Sequence, residues 1–213
     1  SLTPDAWHLT LSSMPLEIEA KMRLEDITAC RRRLERLGAR HGMSVLEFNT
    51  YFDTPAGTLQ RTNQGVRVRV ERQVDGPYQA VIITHKGAQN RGPLKSRPET
   101  ELRVEDGDDA AALLSALGFV RRLSFEKRRD KWNLGGCEVT LDHLPLIGDF
   151  IEIEGPNDDT IMAVRRKLEL SEQPLIKSSY ISILRTFMVE NNLSLDHIGL
   201  IEPGSPQTTP TSP

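Results

Sequence analysis

The chain has 213 residues, of which 38% are hydrophobic, and its formal net charge at pH 7 is −3. This size predicts one domain with a single core, and the mild acidity argues against a dedicated nucleic-acid-binding protein. No apolar run reaches the roughly 18 residues of a membrane helix, and no secretory leader is present. Cys30 and Cys137 match no metal or redox spacing. We therefore expect a cytoplasmic protein with neither a membrane nor a nucleic-acid partner.

Short segments with period-two alternation, separated by turn signals, predict a mainly antiparallel β protein. Residues 1–15 lack periodicity and are predicted to be a flexible lead-in. A Pro/Ser/Thr-rich composition from Pro203 onward predicts a disordered tail, so the predicted domain covers 16–190 and a C-terminal extension covers 191–213. The predicted strands are 16–24, 45–53, 66–72, 78–86, 97–104, 123–133, 137–142 and 150–154.

Four stretches have the spacing of amphipathic helices. Asp26 is the predicted N-cap of the first, and Gly38 ends it. Asp108 is predicted to begin the second, which Gly118 ends. The last two helices are predicted at 158–170 and 178–191. The residues predicted to face inward are Ile27, Cys30, Leu34 and Leu37 in the first helix, and Ala111, Leu114 and Leu117 in the second.

The strands carry charges on one face and aliphatic residues on the other, as in Leu16-Glu17-Ile18-Glu19-Ala20-Lys21-Met22-Arg23-Leu24. A sheet with one solvated face would give the same alternation. However, these positions are almost wholly Glu, Asp, Arg and Lys, and like charges lie two residues apart. The carboxylate pairs Glu17/Glu19 and Glu152/Glu154 are candidate ligands for a hard divalent cation. The cationic pairs Arg67/Arg69 and Lys127/Arg129 suit a phosphate anion.

About eight antiparallel strands must protect their edges, and closure into a barrel does so. With the ionic faces inward and helices over the aliphatic faces, we predict an α+β fold: an eight-stranded antiparallel β-barrel around a charged tunnel. The ExExK segment before the first helix is echoed by Arg97-x-Glu99-x-Glu101 before the second. A two-fold internal repeat is therefore an open alternative to an irregular chain.

Glu17-Ile18-Glu19-Ala20-Lys21 is similar to the ExExK signature of the CYTH superfamily, the triphosphate tunnel metalloenzymes. Further segments resemble the family in order, and the resemblance extends from about Leu16 to Phe187. They are Tyr51-Phe52-Asp53-Thr54, Val66-Arg67-Val68-Arg69, Thr84-His85-Lys86-Gly87, Arg97-Pro98-Glu99-Thr100-Glu101, Glu126-Lys127-Arg128-Arg129, Leu141-Asp142-His143, the segment 146–154, and Lys177-Ser178-Ser179-Tyr180.

The resemblance implies an enzyme that binds a small triphosphate molecule together with Mg²⁺ or Mn²⁺. It assigns catalysis to Glu17, Glu19 and Lys21. The implied metal ligands are Glu17, Glu19, Asp142, Glu152 and Glu154. The implied substrate-binding residues are Lys21, Arg67, Arg69, Lys86, Arg97, Lys127, Arg129 and Lys177. For Arg97, Glu99, Glu101 and Lys177, pairing with other charged side chains is an equal alternative to direct contact with the substrate. By the strand alternation, Glu138 and Arg23 also face the tunnel, and a place at the tunnel mouth is an equal alternative for them.

Three functions remain open at this point. The function that requires the fewest specific contacts is metal-dependent hydrolysis of inorganic triphosphate, because this substrate has no base or sugar to bind. The first alternative is a class IV adenylate cyclase that makes 3′,5′-cyclic AMP and pyrophosphate from ATP. The second is a triphosphate-binding module without turnover. A homodimer is also left open.

Overall fold

A computed structural model of the protein describes residues 16–200. The predicted lead-in 1–15 and the predicted tail from Pro203 lie outside the described residues. Among residues 16–200, no helix has both the length and the apolar character needed to cross a membrane. The strands are β1 Leu16–Leu24, β2 Arg40–Asp53, β3 Gly65–Gln73, β4 Gln79–Lys86, β5 Lys95–Val104, β6 Val120–Leu134, β7 Cys137–Leu144, β8 Gly148–Glu154 and β9 His197–Ile198.

Strands β1 to β8 form a closed antiparallel barrel, which confirms the predicted fold class. The order around the ring is β2-β3-β4-β5-β1-β8-β7-β6, and pairing of β2 with β6 closes it. The closing pair runs from Arg40 opposite Asn133 to Asp53 opposite Val120. Closure leaves no free edge among these eight strands, so the alternating side chains sort into an inner and an outer face.

Within residues 16–200, five helices accompany the barrel: α1 Ile27–Arg36, α2 Thr58–Arg61, α3 Gly107–Ala116, α4 Asp158–Lys167 and α5 Tyr180–Glu190. The Asp26 side chain caps α1, as predicted, by accepting a hydrogen bond from the N–H of Ala29 at 2.8 Å. The prediction that Asp108 begins α3 is wrong, because the cap is Asp106, which accepts from the N–H groups of Asp108 and Asp109.

Two leucines predicted to face inward are exposed instead. Leu37 and Leu117 follow the last residue of α1 and α3, with φ near −80° and ψ near 0°. Because the helix has already ended there, the helical period no longer points these side chains at the core. Their exposed fractions are 39% and 66%.

The ring has the topology of a two-fold repeat. Each half supplies a strand, a helix and three more strands: β1-α1-β2-β3-β4, then β5-α3-β6-β7-β8. If each strand of β1–β4 changes places with its equivalent in β5–β8, the same strand order results, read in the opposite direction around the ring. Positions 80 residues apart face each other where the two-fold axis crosses the sheet, since Glu17 pairs with Arg97 and Glu47 with Lys127.

Apolar packing divides into two outer clusters and one inner cluster. Outside the barrel, α1 and α4 cover β1, β7 and β8 through residues such as Leu34, Ile153 and Ile161. Helix α3 covers β3 and β4 through Leu114 and its neighbours. The inner cluster joins α5 to inward-facing side chains at one end of the barrel: Leu123, Phe125, Leu144, Ile147, Phe150, Tyr180, Leu184 and Ile198. Helix α5 is thereby fixed against the barrel interior.

Candidate active site

A cavity of about 780 Å³ lies within the barrel. Twelve cationic and seven anionic side chains line it. The cationic ones are Lys21, Arg67, Arg69, Lys86, Lys95, Arg97, Arg122, Lys127, Arg129, Lys131, Lys177 and Arg185, and the anionic ones are Glu17, Asp53, Glu99, Glu101, Glu138, Glu152 and Glu154. The surface that faces the cavity is therefore more cationic than anionic, which favours an anionic ligand. Behind it, four buried carboxylates pair with several of these cations: Glu19, Glu47, Glu71 and Asp142.

The centre of the cavity wall is a buried ionic network around Lys127 and Arg129 of β6. Arg129 holds Asp142 through two hydrogen bonds of 2.7 and 2.6 Å, and Lys127 lies 3.3 Å from both Asp142 and Glu47. Burial alone would raise the pKa of Glu47, but the charges of Lys127, Arg129 and others outweigh it and hold the pKa well below its usual range. Glu47 is therefore a permanent counter-ion for this cationic cluster.

Tyr180 connects α5 to the same network. Its hydroxyl donates to Asp142 Oδ2 at 2.7 Å, and the ammonium groups of Lys21 and Lys127 lie 4.1 and 5.0 Å from its ring centre. Burial and then the negative charge of Asp142 raise the pKa of Tyr180 well above its usual range. The phenol therefore stays protonated and acts as a hydrogen-bond donor.

Lys21 is the cationic member of the ExExK segment, and only 2% of the residue is exposed. Its ammonium group lies 3.0 Å from Glu152 and 3.5 Å from Glu19. Burial opposes its charge, but these two carboxylates outweigh that effect and raise the pKa of Lys21. The lysine is therefore charged throughout the physiological range. Lys95 contacts Glu19 from the neighbouring strand β5.

Two buried arginines retain N–H groups without a partner. Arg67 and Arg97 are 8% and 6% exposed, and the Nε of each lacks a hydrogen bond among the described residues. Arg97 is positioned by Asn63, whose side-chain oxygen accepts from it at 3.3 Å. A buried donor without an acceptor is costly in a folded protein. These guanidinium groups are therefore prepared for oxygen atoms of a ligand.

The remaining predicted substrate-binding residues have local partners. Lys86 contacts Glu99 and lies 3.5 Å from Glu17. Arg69 lies 3.2 Å from Glu71. Lys177 is exposed at the cavity mouth, where it donates to the carbonyl oxygen of Gly92 at 2.5 Å. All of the predicted substrate-binding residues line the cavity.

Carboxylates gather where β7 begins and β8 ends. Glu154 is the cross-strand neighbour of Glu19 on one side and of Glu138 on the other. Although Glu154 reaches solvent, partial desolvation and then the nearby carboxylates, led by Glu17 and Glu138, raise its pKa to about 7. Crowded carboxylates of this kind have the oxygen-donor chemistry that Mg²⁺ and Mn²⁺ prefer.

The five predicted metal ligands do not form a finished metal centre. As the side chains stand in residues 16–200, no three His, Cys, Asp or Glu residues are grouped to hold an ion. Glu17, Glu19 and Glu152 each contact a lysine. Asp142 and Glu19 are 0% and 4% exposed, and neither lines the cavity. The donor types fit a hard cation, and the ligand assignment stays a prediction.

Sequence reasoning did not select several residues of the barrel interior. Glu47 and Lys95 share the inward parity of their strands with Asn49 and Arg97, so extending the alternation by one step would have found them. Arg122 and Arg185 belong to no alternating pair, and nothing in the sequence pattern signals their position. Tyr180 was part of a recognised segment, but its bond to Asp142 depends on the packing of α5.

Comparison with known proteins agrees with this geometry. The CYTH domain model matches residues 15–186. An adenylate cyclase of Aeromonas hydrophila is 32% identical over 160 residues, which cover 73% of this chain and 77% of that protein. A Pyrococcus horikoshii structure superposes with a TM-score of 0.68 at 27% identity, covering 80% of this chain and 98% of that one.

A Hippeastrum structure described as having a dominant triphosphatase activity superposes with a TM-score of 0.62. At 17% identity, over 80% of this chain and 95% of that one, it supports the fold alone. Proteins of the matched family bind triphosphate substrates such as ATP and generally depend on a divalent metal ion. The family model covers most of the chain, and so the protein is a member of the CYTH superfamily.

Proposed function

We propose that this protein is a metal-dependent triphosphatase that hydrolyses inorganic triphosphate inside its barrel. The observation that carries the proposal is the pair of buried arginines, Arg67 and Arg97, whose Nε–H groups lack acceptors in a cavity with excess positive charge. Charge-assisted hydrogen bonds to phosphate oxygens would satisfy both donors, at about 1.5–3 kcal/mol for each bond. A polyphosphate supplies such oxygens along its whole length.

The chain's own residues bind and orient the substrate in this proposal. Lys21, Lys127 and Arg129, which we call the central cradle, neutralise phosphate oxygens. Their carboxylate partners hold them in place. A water oxygen forms a bond to the terminal phosphorus, the bridging P–O bond breaks, and pyrophosphate leaves with the electron pair. The water protons pass to the products and to solvent. Positioning and charge neutralisation account for most of the catalysis in such transfers.

Glu17, Glu19, Glu152 and Glu154 would hold the Mg²⁺ or Mn²⁺ ion. A divalent cation supplies charge neutralisation on the phosphate oxygens and lowers the pKa of a water molecule. Asp142 has a different proposed role. Because both of its oxygens are held by Arg129, Lys127 and Tyr180, it orients the basic groups of the cradle.

Adenylate cyclase activity is the second candidate. Uncharged amide side chains of Gln60, Asn63 and Gln64 line the cavity beside α2, and such groups can hydrogen-bond a base or a ribose. A relative of this chain is named an adenylate cyclase. In that reaction the ribose 3′-oxygen attacks the α-phosphorus, which releases pyrophosphate and closes the ring.

The decisive experiment compares turnover of inorganic triphosphate and of ATP with Mg²⁺ or Mn²⁺, scoring orthophosphate, pyrophosphate and cyclic AMP separately. Orthophosphate with pyrophosphate from triphosphate, without cyclic AMP from ATP, supports the proposal. Cyclic AMP with equal pyrophosphate supports the second candidate. Binding of triphosphate with no product from either substrate would leave a binding module.

A matched pair of variants tests the catalytic carboxylates. Glu19→Ala is expected to lower metal-dependent turnover by about 100-fold. Glu35→Ala, on the exposed face of α1, is the control and is expected to keep wild-type turnover. Circular dichroism checks that both variants are folded. Wild-type turnover by a folded Glu19→Ala protein would contradict the proposed role of Glu19.

A further inference from the structure

The cavity mouth beside α2 carries two arginines that the proposed cradle does not use. Arg122 on β6 and Arg185 on α5 both line the cavity there. This mouth lies at the end of the barrel where Asp53 ends β2. On the neighbouring strands, Glu138 of β7 is level with Arg40, at the other end of β2.

Neutral oxygen atoms position both guanidinium groups. Arg122 Nη2 donates to the carbonyl oxygens of Thr54 and Pro55 at 2.6 and 2.7 Å. Arg185 donates to the side-chain oxygen of Gln60. Within residues 16–200, neither arginine has a carboxylate at ion-pair distance. By contrast, Arg129 in the central cradle is paired with Asp142. The two mouth arginines are oriented without a direct ion pair.

The acid that faces them is already committed to the backbone. Asp53 accepts hydrogen bonds from the N–H groups of Thr54, Leu59 and Gln60 at 2.7, 2.8 and 3.0 Å. This arrangement fixes the turn and α2, and it orients the Asp53 carboxylate toward the backbone, so that Asp53 acts on Arg122 and Arg185 through its charge and not through an ion pair.

The arginines also repel each other. Desolvation and then the positive charge of Arg122 lower the pKa of Arg185, although Asp53 opposes the effect. Two like charges held on one cavity wall create a position where an anion is favourable.

We propose that Arg122 and Arg185 form a second anion site, which binds a phosphate group at the α2 mouth, outside the central cradle. The proposal rests on the proposed function, since that function supplies the phosphate. Two guanidinium forks match the oxygen geometry of phosphate. Arg122 and Lys127 are five residues apart on β6, or roughly 16 Å along a strand, so the mouth and the cradle bind at distinct positions.

The same chemistry can serve the end of an entering triphosphate or a departing orthophosphate. The first source is tested by stopped-flow association of inorganic triphosphate at low and high salt. Charge at the mouth speeds the encounter, so Arg122→Gln/Arg185→Gln should slow association about tenfold at low salt and flatten its salt dependence. Arg122→Lys/Arg185→Lys keeps the charge and should keep most of the rate.

The second source is tested by calorimetric titration of inorganic orthophosphate into the full-length protein with excess pyrophosphate present to fill the cradle. The wild type should bind orthophosphate, and the double Gln variant should bind it about tenfold more weakly. The control is Arg121→Gln, which removes an exposed neighbouring arginine of β6 that does not line the cavity, and it should behave as wild type in both experiments.

Either effect supports the site and identifies its phosphate. If the double Gln variant matches Arg121→Gln in both experiments, the proposal is overturned. If the double Lys variant associates with triphosphate as slowly as the double Gln variant, charge at the mouth does not speed the encounter and the arginines only anchor the α2 segment, which also overturns the proposal. Because neither readout requires product formation, a wild type that binds triphosphate without hydrolysing it would contradict the proposed function alone.

Discussion

The two halves of the barrel share a scaffold but differ in the charges that they turn inward. In the first half, β1 and β2 place Glu17 and Glu47 on the two-fold axis, whereas β5 and β6 of the second half place Arg97 and Lys127 at the equivalent positions. Each acid therefore faces a base 80 residues away. A repeat whose members carry opposite charges can bury both, since each half supplies the counter-ions of the other.

The difference extends to the strands that carry the predicted metal ligands. Strand β8 turns Glu152 and Glu154 inward, whereas the equivalent positions of its counterpart β4 are Thr84 and Lys86, a neutral and a cationic residue. The carboxylate group therefore draws on both halves, with Glu17 and Glu19 from β1 and Glu138, Glu152 and Glu154 from β7 and β8. The scaffold is symmetric, but the charges at equivalent positions are not.

The largest expected effect comes from breaking the buried ion pair of Glu47 and Lys127, which face each other at the two-fold axis. Glu47→Ala removes the one carboxylate that Lys127, Arg129 and Arg69 share, at a site that is 0% exposed. We expect a loss of about 3–5 kcal/mol in the free energy of unfolding, measured by urea denaturation at neutral pH.

Glu17→Ala is the comparison variant, because Glu17 faces Arg97 where the two-fold axis crosses the sheet a second time. Glu17 is only partly buried, and desolvation raises its pKa, so its charge is not strongly favoured there. The expected loss is below about 1 kcal/mol. Equal losses in the two variants would contradict the view that only one crossing is a buried ionic core.

The second prediction separates the roles of Glu17 and Arg97. Arg97→Gln removes a buried cation with an unpartnered Nε and should weaken metal-free binding of inorganic triphosphate about tenfold, measured by calorimetry. Glu17→Gln should not weaken metal-free binding, but it should weaken binding of Mg²⁺. If both variants weaken metal-free triphosphate binding alike, the assignment of Arg97 to triphosphate and of Glu17 to the metal ion is wrong.

The third prediction compares the two equivalent helix caps. Asp26 accepts one backbone N–H of α1, and Asp106 accepts two of α3. Asp26→Ala should cost about 1 kcal/mol and Asp106→Ala somewhat more, as measured by thermal unfolding. Asn at either position retains the acceptor and is the control. A larger cost at Asp26 would show that hydrogen-bond count does not rank the caps.

The smallest effect concerns the pH dependence of stability. The pKa of Glu154 is about 7 in the folded protein and 4.5 is its ordinary value. The folded state therefore holds this proton longer than the unfolded chain, so the stabilisation is complete below pH 4.5 and is lost as the pH rises through 7. At about pH 8, Glu154→Gln should be more stable than wild type by about 1 kcal/mol, a value reduced for solvent screening.

Chemical denaturation at several pH values measures this difference, which should vanish toward pH 4.5. Addition of Mg²⁺ is a second test, because a bound cation would stabilise wild type at pH 8 more than the Gln variant. A constant difference across the pH range would contradict titration of Glu154 as the cause.

Alternation predicted the eight barrel strands because the inner face is ionic and the outer face is aliphatic along nearly the whole ring. Two elements were missed for physical reasons. Helix α2 has four residues and no side-chain cap, and β9 has two residues that depend on pairing with Ser124 and Phe125 of β6. Neither is long enough to show a period.

The predicted site residues come together to different degrees. The basic residues line one cavity, as the parity of Arg67, Arg69, Lys127 and Arg129 predicts. The mouth position of Arg122 and Arg185 depends on how α5 packs, which no local pattern encodes. The cytoplasmic location, the homodimer, the domain limits and the residue roles stay predictions.

The ring order has a further consequence for how the chain folds. Strand β1 pairs with β5 and β8 of the second half, and β5 pairs with β4 and β1 of the first. The first strand of each half is therefore hydrogen-bonded to strands of the other half. Neither half alone can complete its own sheet. The interlocked contacts join residues as far apart as Glu19 and Glu154, and such high contact order predicts slow, all-or-none folding that begins only after most of the chain has been made.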